Sequence, residues 1–241
     1  MITGIDVRKS FEDLAALDGA GFTIETGSVY GLVGPNGSGK STLIRCLMGI
    51  FRLDGGEINI DGESVYENTA LKARMAYVPD EIYYRASTTI EDMAKFYAGL
   101  YPGFDRTRMD RLMELFPELN KRLHFRSMSK GMQKQASVLL AVSTRSDILV
   151  LDEPMDGLDP LARHTVWKII LESVAGEGTT VLVSSHNLRE LEDVCDHVGI
   201  LKSGRIVCEK DIIDGVQSLE ELFIEEVEGG VDDAIKDIFI S

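Results

Sequence analysis

Apolar and polar positions along this chain follow two rhythms, and the change from one to the other marks its organisation. Short apolar-rich runs at Val29–Val33, Ile148–Leu151 and Thr180–Ser184 have the length and β-branched content of strands buried on both faces. Glu57–Asp61 alternates between Gly56 and Gly62 as a half-buried strand does, and Arg74–Val78 is a further strand candidate. Ser41–Ile50 carries apolar residues at helical spacing directly after the first run and a glycine-rich turn, which reads strand, loop, helix. From about Thr89 to Ser143 the period is helical, with Ile90, Met93, Ala94 and Tyr97 on one face and Met109, Leu112, Met113 and Phe116 on another. A helix from about Leu161 to Ala175 separates the last two buried strands, the alternation of a parallel sheet with crossover helices. Val198–Leu201 and Arg205–Cys208 close the pattern as a hairpin around Ser203-Gly204.

These elements predict an α/β fold in a single domain: a mixed sheet with an antiparallel β edge, interrupted by an inserted α-helical subdomain. The core takes residues 1–85 and 144–215, the helical insert 86–143, and an acidic C-terminal segment 216–241. With 241 residues, 44% apolar and 27% charged, the chain is long enough to bury a substantial core. Its longest apolar stretches, Ile148–Leu151 and Val138–Val142, fall far short of the roughly 20 residues that cross a bilayer. Met1–Ser10 shows no basic region followed by an apolar run, so no secretory signal is expected and a cytosolic location is. Cys46, Cys195 and Cys208 are odd in number and scattered, which predicts reduced packing thiols in place of a disulfide framework or metal cluster. A net charge of -15 repels a phosphate backbone and argues against nucleic acid as a partner. The acidic excess at Glu220, Glu221, Glu225, Glu226, Glu228, Asp232 and Asp233 reads as a solvated tail.

The candidate chemistry begins at Gly34-Pro35-Asn36-Gly37-Ser38-Gly39-Lys40-Ser41, two glycines four residues apart followed by Lys-Ser, between a strand and a helix. Glycines let backbone amides turn inward around phosphates, and the following helix aims its positive end at them. Lys40 would reach the β- and γ-phosphates, and the Ser41 hydroxyl would complete a Mg²⁺ shell. Gly34, Asn36, Gly37, Ser38, Gly39, Lys40, Ser41 and the adjoining Thr42 are thus the phosphate-binding candidates of a P-loop NTPase core. Ile148-Leu149-Val150-Leu151-Asp152-Glu153 delivers two carboxylates at the carboxyl end of a buried strand, where ligands of open α/β sheets bind. Adjacent residues of an extended chain point to opposite sides, so the two acids divide the work. Asp152 would support Mg²⁺ beside Ser41, and Glu153 would accept a proton from the water that attacks the γ-phosphate.

From about Ile5 to Glu209 the sequence resembles the ATP-binding-cassette family. Phe11 matches the aromatic that stacks on adenine, and Ser129-Lys130-Gly131-Met132-Gln133 resembles its signature motif. Asp156-Gly157-Leu158-Asp159 resembles the loop that joins paired subunits, and His186, after Ser184-Ser185, resembles the switch histidine. Singly, Phe11 is also compatible with a core aromatic, Gly131 with a plain helix start and His186 with a surface histidine; their order and spacing carry the match. The resemblance implies two ATPs held between two head-to-tail cassettes. Lys40, Ser41 and Asp152 would come from one subunit and Ser129 and Gly131 from the other, a copy of this chain or a relative, with Asp159 of the joining loop a further nucleotide-site candidate. Glu153, His186 and Lys40 would be catalytic. It further implies an integral membrane transporter subunit as partner, docking near Asp80 and the helical insert, and a peripheral place on the cytoplasmic face of the cell membrane.

Three positions depart from the family pattern. Lys130 stands where glycine is usual and Met132 where glutamine is, and Lys130 would add positive charge near the γ-phosphate. Asp80, after Tyr77-Val78-Pro79, replaces the usual glutamine; its oxygens can coordinate Mg²⁺ but donate no amide hydrogen bonds. These departures resemble subunits that serve export-type partners. The competing readings are a soluble ATPase of the same family acting on nucleic acid or ribosomes, and a P-loop kinase, which leaves the signature-like segment at Ser129–Gln133, Asp159 and His186 unexplained.

Overall fold

The computed structural model describes residues 1–85, 87–212 and 218–228. Strands β1 (Ile2–Phe11), β2 (Leu14–Ile24), β4 (Gly55–Ile60) and β5 (Glu63–Ser64) form an antiparallel sheet in the order β2-β1-β4-β5. Strands β3 (Val29–Val33), β6 (Met75–Val78), β7 (Ile148–Asp152), β8 (Thr180–Ser184), β9 (His197–Lys202) and β10 (Arg205–Asp211) form the second sheet, ordered β10-β9-β3-β8-β7-β6. There β3 pairs in parallel with β8 and β9, β7 with β6 and β8, and β10 runs antiparallel to β9 at the edge. The mixed sheet and antiparallel edge expected from the pattern are both present, and the antiparallel part is larger than the pattern showed. The long β1–β2 hairpin escaped periodicity for a physical reason. Asp6 turns left-handed at φ 48° and the register slips between Gly4 and Val7, Val7 and Arg8, and Lys9 and Ser10. Each bulge shifts the buried face by one residue, which destroys a period of two.

Alternate residues of the parallel strands enter two separate cores. Leu149, Leu151, Val181 and Val183 pack with helices α3 (Ile90–Leu100), α4 (Arg106–Met113), α5 (Lys130–Val142) and α6 (Pro160–Glu177). Ile148, Val150, Tyr30 and Leu32 face the antiparallel sheet and Leu43, Ile44 and Leu47 of α1 (Lys40–Leu47). Full burial of side chains such as Val150 and Leu151, both 0% exposed, contributes about 1.5–3 kcal/mol each. Thr89 starts α3 with a reciprocal capping box to Asp92, and Asp105 caps α4. Phe116 was expected on the face of α4, but that helix ends at Met113, so Phe116 reaches the same core from the following turn. The short helices α2 (Thr69–Lys72) and α7 (Leu188–Glu192) complete the connections.

The three cysteines are free thiols, Cys46 and Cys195 buried and Cys208 half-buried. The acidic segment differs from a solvated tail in its first part: α8 (Leu219–Glu228) buries Leu219 and Leu222 in the core, and Glu220 meets Arg189 at 3.3 Å. Asp232 and Asp233 lie outside the described residues. Among the described residues no helix is long and apolar enough to cross a membrane.

Candidate nucleotide site

The site gathers where β3, β6, β7 and β8 end. Residues 34–39 leave buried β3 and turn into α1, whose first hydrogen bond runs from Leu43 N to Gly39 O at 2.8 Å. Gly39 stands at the helix cap with φ 108°, and a Cβ there would lie 2.4 Å from Ala16 O, so backbone conformation and close packing both require glycine. The N–H groups of the first turn of α1, with half-buried Ser41 and Thr42, receive no side-chain cap. Asn36 is exposed at the tip, and Ser38 is buried with its hydroxyl unpartnered among the described residues. Lys40, 8% exposed, folds back to donate to Gly34 O at 2.7 Å and Pro35 O at 3.3 Å. Burial lowers its pKa, and the carboxylates of Glu153 and Asp152 partly oppose that shift, which places all three in one electrostatic neighbourhood.

Asp152 ends β7 at 1% exposure. Its Oδ1 accepts from the Ser184 hydroxyl at 2.7 Å, and its Oδ2 is buried without a partner among the described residues. Glu153 does not continue the strand. It turns left-handed at φ 48°, with its N–H donating to Ser184 O at 3.2 Å and Ser184 Oγ at 3.1 Å. The two acids therefore diverge because the chain turns between them, whereas the sequence pattern attributed the divergence to strand alternation. His186 Nδ1 lies 2.9 Å from Glu153 Oε2, the imidazole mostly exposed and the carboxylate mostly buried.

A second group of predicted residues lies at the start of α5. Ser129 caps that helix by accepting from Met132 N at 3.1 Å. Gly131 faces the 156–158 loop, and a Cβ on it would sit 2.4 Å from Gly157 O. Lys130, expected to place charge near a γ-phosphate, is ion-paired within the chain to Asp156, which raises its pKa. Asp80 meets two ammonium groups, Lys134 at 3.4 Å and Lys130 at 3.9 Å, so two of the departures from the family pattern, Asp80 and Lys130, compensate each other's charge. Asp159 caps α6, accepting from Leu161 N and Ala162 N, each at 3.0 Å. Phe11, 40% exposed, ends β1 with its ring edge-on to Phe51 at 5.2 Å and Lys9 5.5 Å from its centroid.

Two residues of the site passed unnoticed in the sequence. Ser184 was read as a strand end, yet it supports both acids. Lys134 was unmarked, although a lysine one turn before Val138, on the side of α5 that is otherwise buried, is itself a signal for a specific partner.

A family model described as ABC transporter matches residues 17–156. The chain belongs to the ABC transporter family. It is 32% identical over 214 residues to the ABC transporter ATP-binding protein YtrB of Bacillus subtilis, covering 88% of this chain and 72% of that protein. It is 33% identical over 210 residues to the Nod factor export ATP-binding protein I of Ralstonia nicotianae, covering 84% of this chain and 64% of that one. Among solved structures, an ATP-binding subunit of an ABC transporter superposes with a TM-score of 0.84 at 28% identity, covering 93% of this chain and 98% of the other. A dimeric bacterial ABC transporter cassette superposes at 0.80 with 20% identity, covering 88% and 99%, which supports the fold. This ABC protein is an ATP-binding subunit with ATPase activity.

Proposed function

We propose that this cassette hydrolyses ATP with Glu153 as general base, in a site completed by a second cassette, to drive a separate membrane-spanning partner. The observation that carries the reading is the 2.9 Å contact between Glu153 and His186 beside Lys40 and Asp152. Phe11 stacks on adenine, while residues 34–39 and the amino end of α1 hold the phosphates of ATP. Lys40 exchanges Gly34 O for phosphate oxygens. Glu153 takes a proton from water as the water oxygen bonds to the γ-phosphorus; the bond to the bridging oxygen breaks and ADP leaves. His186 holds the Glu153 carboxylate and contacts the transferred phosphate. Ser41 and Asp152 suit a hard cation, and the unpartnered buried Oδ2 of Asp152 is the observation that favours one. Bound there, Mg²⁺ would offset charge on the β- and γ-phosphates.

Ser129 and Gly131 serve the γ-phosphate of the opposite cassette, a copy of this chain or a relative, with Asp159 in the joining loop. The membrane partner docks at the groove of about 280 Å³ lined by Asp80, Glu81, Ile82, Tyr83, Lys130, Gln133 and Lys134, on the cytoplasmic face of the membrane. Similarity to Nod factor export proteins supports export as the direction. The net charge of -15 weighs against nucleic acid as the partner. Purification of the tagged chain from membranes tests the reading. An integral membrane protein should accompany it; recovery of the chain with ribosomes or nucleic acid and without a membrane protein would overturn it.

A further inference from the structure

The first turns of α5 carry two lysines in different surroundings. Lys130 is more than half exposed, whereas Lys134 is 1% exposed. The Lys134 ammonium has three N–H groups and finds three oxygens: Pro79 O at 3.0 Å, Asp152 O at 3.1 Å and Asp80 Oδ1 at 3.4 Å. Burial lowers its pKa against the opposing pull of Asp80 and Asp152. An apolar side chain would fill the same space without the cost of desolvating a charge, so the contacts that this ammonium makes need a reason.

The Asp152 carbonyl belongs to the peptide unit that joins Asp152 to Glu153. Lys134 holds the C=O of that unit and Ser184 holds its N–H, so both polar ends are fixed by other elements. Glu153 follows at φ 48°, a conformation that non-glycine residues rarely keep without support from their surroundings. The same ammonium grips the Pro79–Asp80 turn at the end of β6.

We propose that Lys134 is a positioning residue, whose ammonium fixes the Asp152–Glu153 peptide so that Glu153 faces the attacking water, and ties that orientation to the Pro79–Asp80 turn. The proposal rests on Glu153 being the general base. It makes the turn at Asp80 a control point: movement of Asp80 pulls on Lys134 and releases the peptide that aims the base.

The test is steady-state ATPase kinetics of the full chain with MgATP, comparing Lys134→Met, Lys134→Gln, Asp80→Asn, Lys134→Met/Asp80→Asn and Glu153→Gln. Methionine fills the space without the ammonium. For Lys134→Met the account expects kcat to fall about 10- to 100-fold, the scale of a 1 Å misplacement, with KM changed less than about threefold. Asp80→Asn leaves both carbonyl contacts and should lose less, and the double variant should be no slower than Lys134→Met alone, because the pair acts through one contact set. If Lys134→Met does not fold, Lys134→Gln and Asp80→Asn carry the comparison. Wild-type kcat in the Lys134 variants, with Glu153→Gln inactive, overturns the positioning role and leaves the base assignment standing. A rise in KM matching the fall in kcat overturns it as well, since that is the mark of general disruption. Undiminished hydrolysis by Glu153→Gln removes the base assignment and the proposal together.

Discussion

Gly131→Ala tests the packing at the amino end of α5 with one methyl group. The added Cβ would meet Gly157 O at 2.4 Å and Gly157 C at 3.2 Å, both backbone atoms that cannot swing aside. Ordinary contact needs roughly 3.4 Å or more between such atoms, so the helix and the 156–158 loop must part by about 1 Å. Gly131 lies inside α5, so this cost is steric and owes nothing to an unusual φ. Overpacking of this kind costs about 1–3 kcal/mol. For a chain of this size that lowers the melting temperature by roughly 2–12 °C. The displaced groups include Ser129, Lys130 and Asp156, so ATPase activity should fall by about 10- to 100-fold as well. Thermal melts followed by circular dichroism, beside steady-state ATPase assays, read both effects. Gly176→Ala in α6 and Gly99→Ala in α3 are the controls. A Cβ at either meets nothing within 4 Å, and alanine should be neutral or stabilising by up to about 1 kcal/mol. A Gly131→Ala protein with wild-type melting temperature and turnover would refute the reasoning.

Other substitutions probe separate links. Gly39→Ala should abolish binding of a fluorescent ATP analogue, because φ 108° and the 2.4 Å approach to Ala16 O leave no room for a side chain; retained affinity would contradict the loop geometry. Ser184→Ala removes the partner of Asp152 Oδ1 and one acceptor of Glu153 N–H. It should cost about 1–3 kcal/mol, seen in denaturant melts, together with a drop in kcat. Under native conditions a thiol reagent at pH 8 should label Cys208 first, with Cys46 and Cys195 reacting after unfolding in guanidinium. Burial pushes the Cys46 thiol from 9.0 to about 11. The unfolded chain therefore loses this proton first as pH rises, and the Cys46 contribution is full below pH 9 and lost between pH 9 and about 11. The decline of melting temperature over that window should be shallower in Cys46→Ala.

What could be read from the sequence was local. Lys40 and Ser41 announce themselves because strand, turn and helix follow one another within twenty residues, and Asp152 and Glu153 because they end a run of four apolar residues. The support for these groups is distant in sequence and has no spacing to find. Ser184 lies 32 residues from Asp152, and Lys134 lies 54 from Asp80. The left-handed turn at Glu153 was equally hidden, since nothing in an acidic residue signals positive φ. The β1–β2 hairpin failed for the opposite reason: its pattern is local, but its bulges break the period that pattern reading relies on. Asp159, picked out by resemblance for a loop between subunits, also caps α6 within its own chain, a use that Asp159-Pro160 at a helix start foretells.

The account stands on Glu153 as the group that accepts the proton from water. Glu153→Gln keeps the size and the His186 contact while removing the base. Binding of MgATP and steady-state release of phosphate, measured on the same preparation, are the direct test. The account predicts nucleotide affinity close to wild type, with turnover lower by a factor on the order of 100 or more. Phosphate release at the wild-type rate would contradict it.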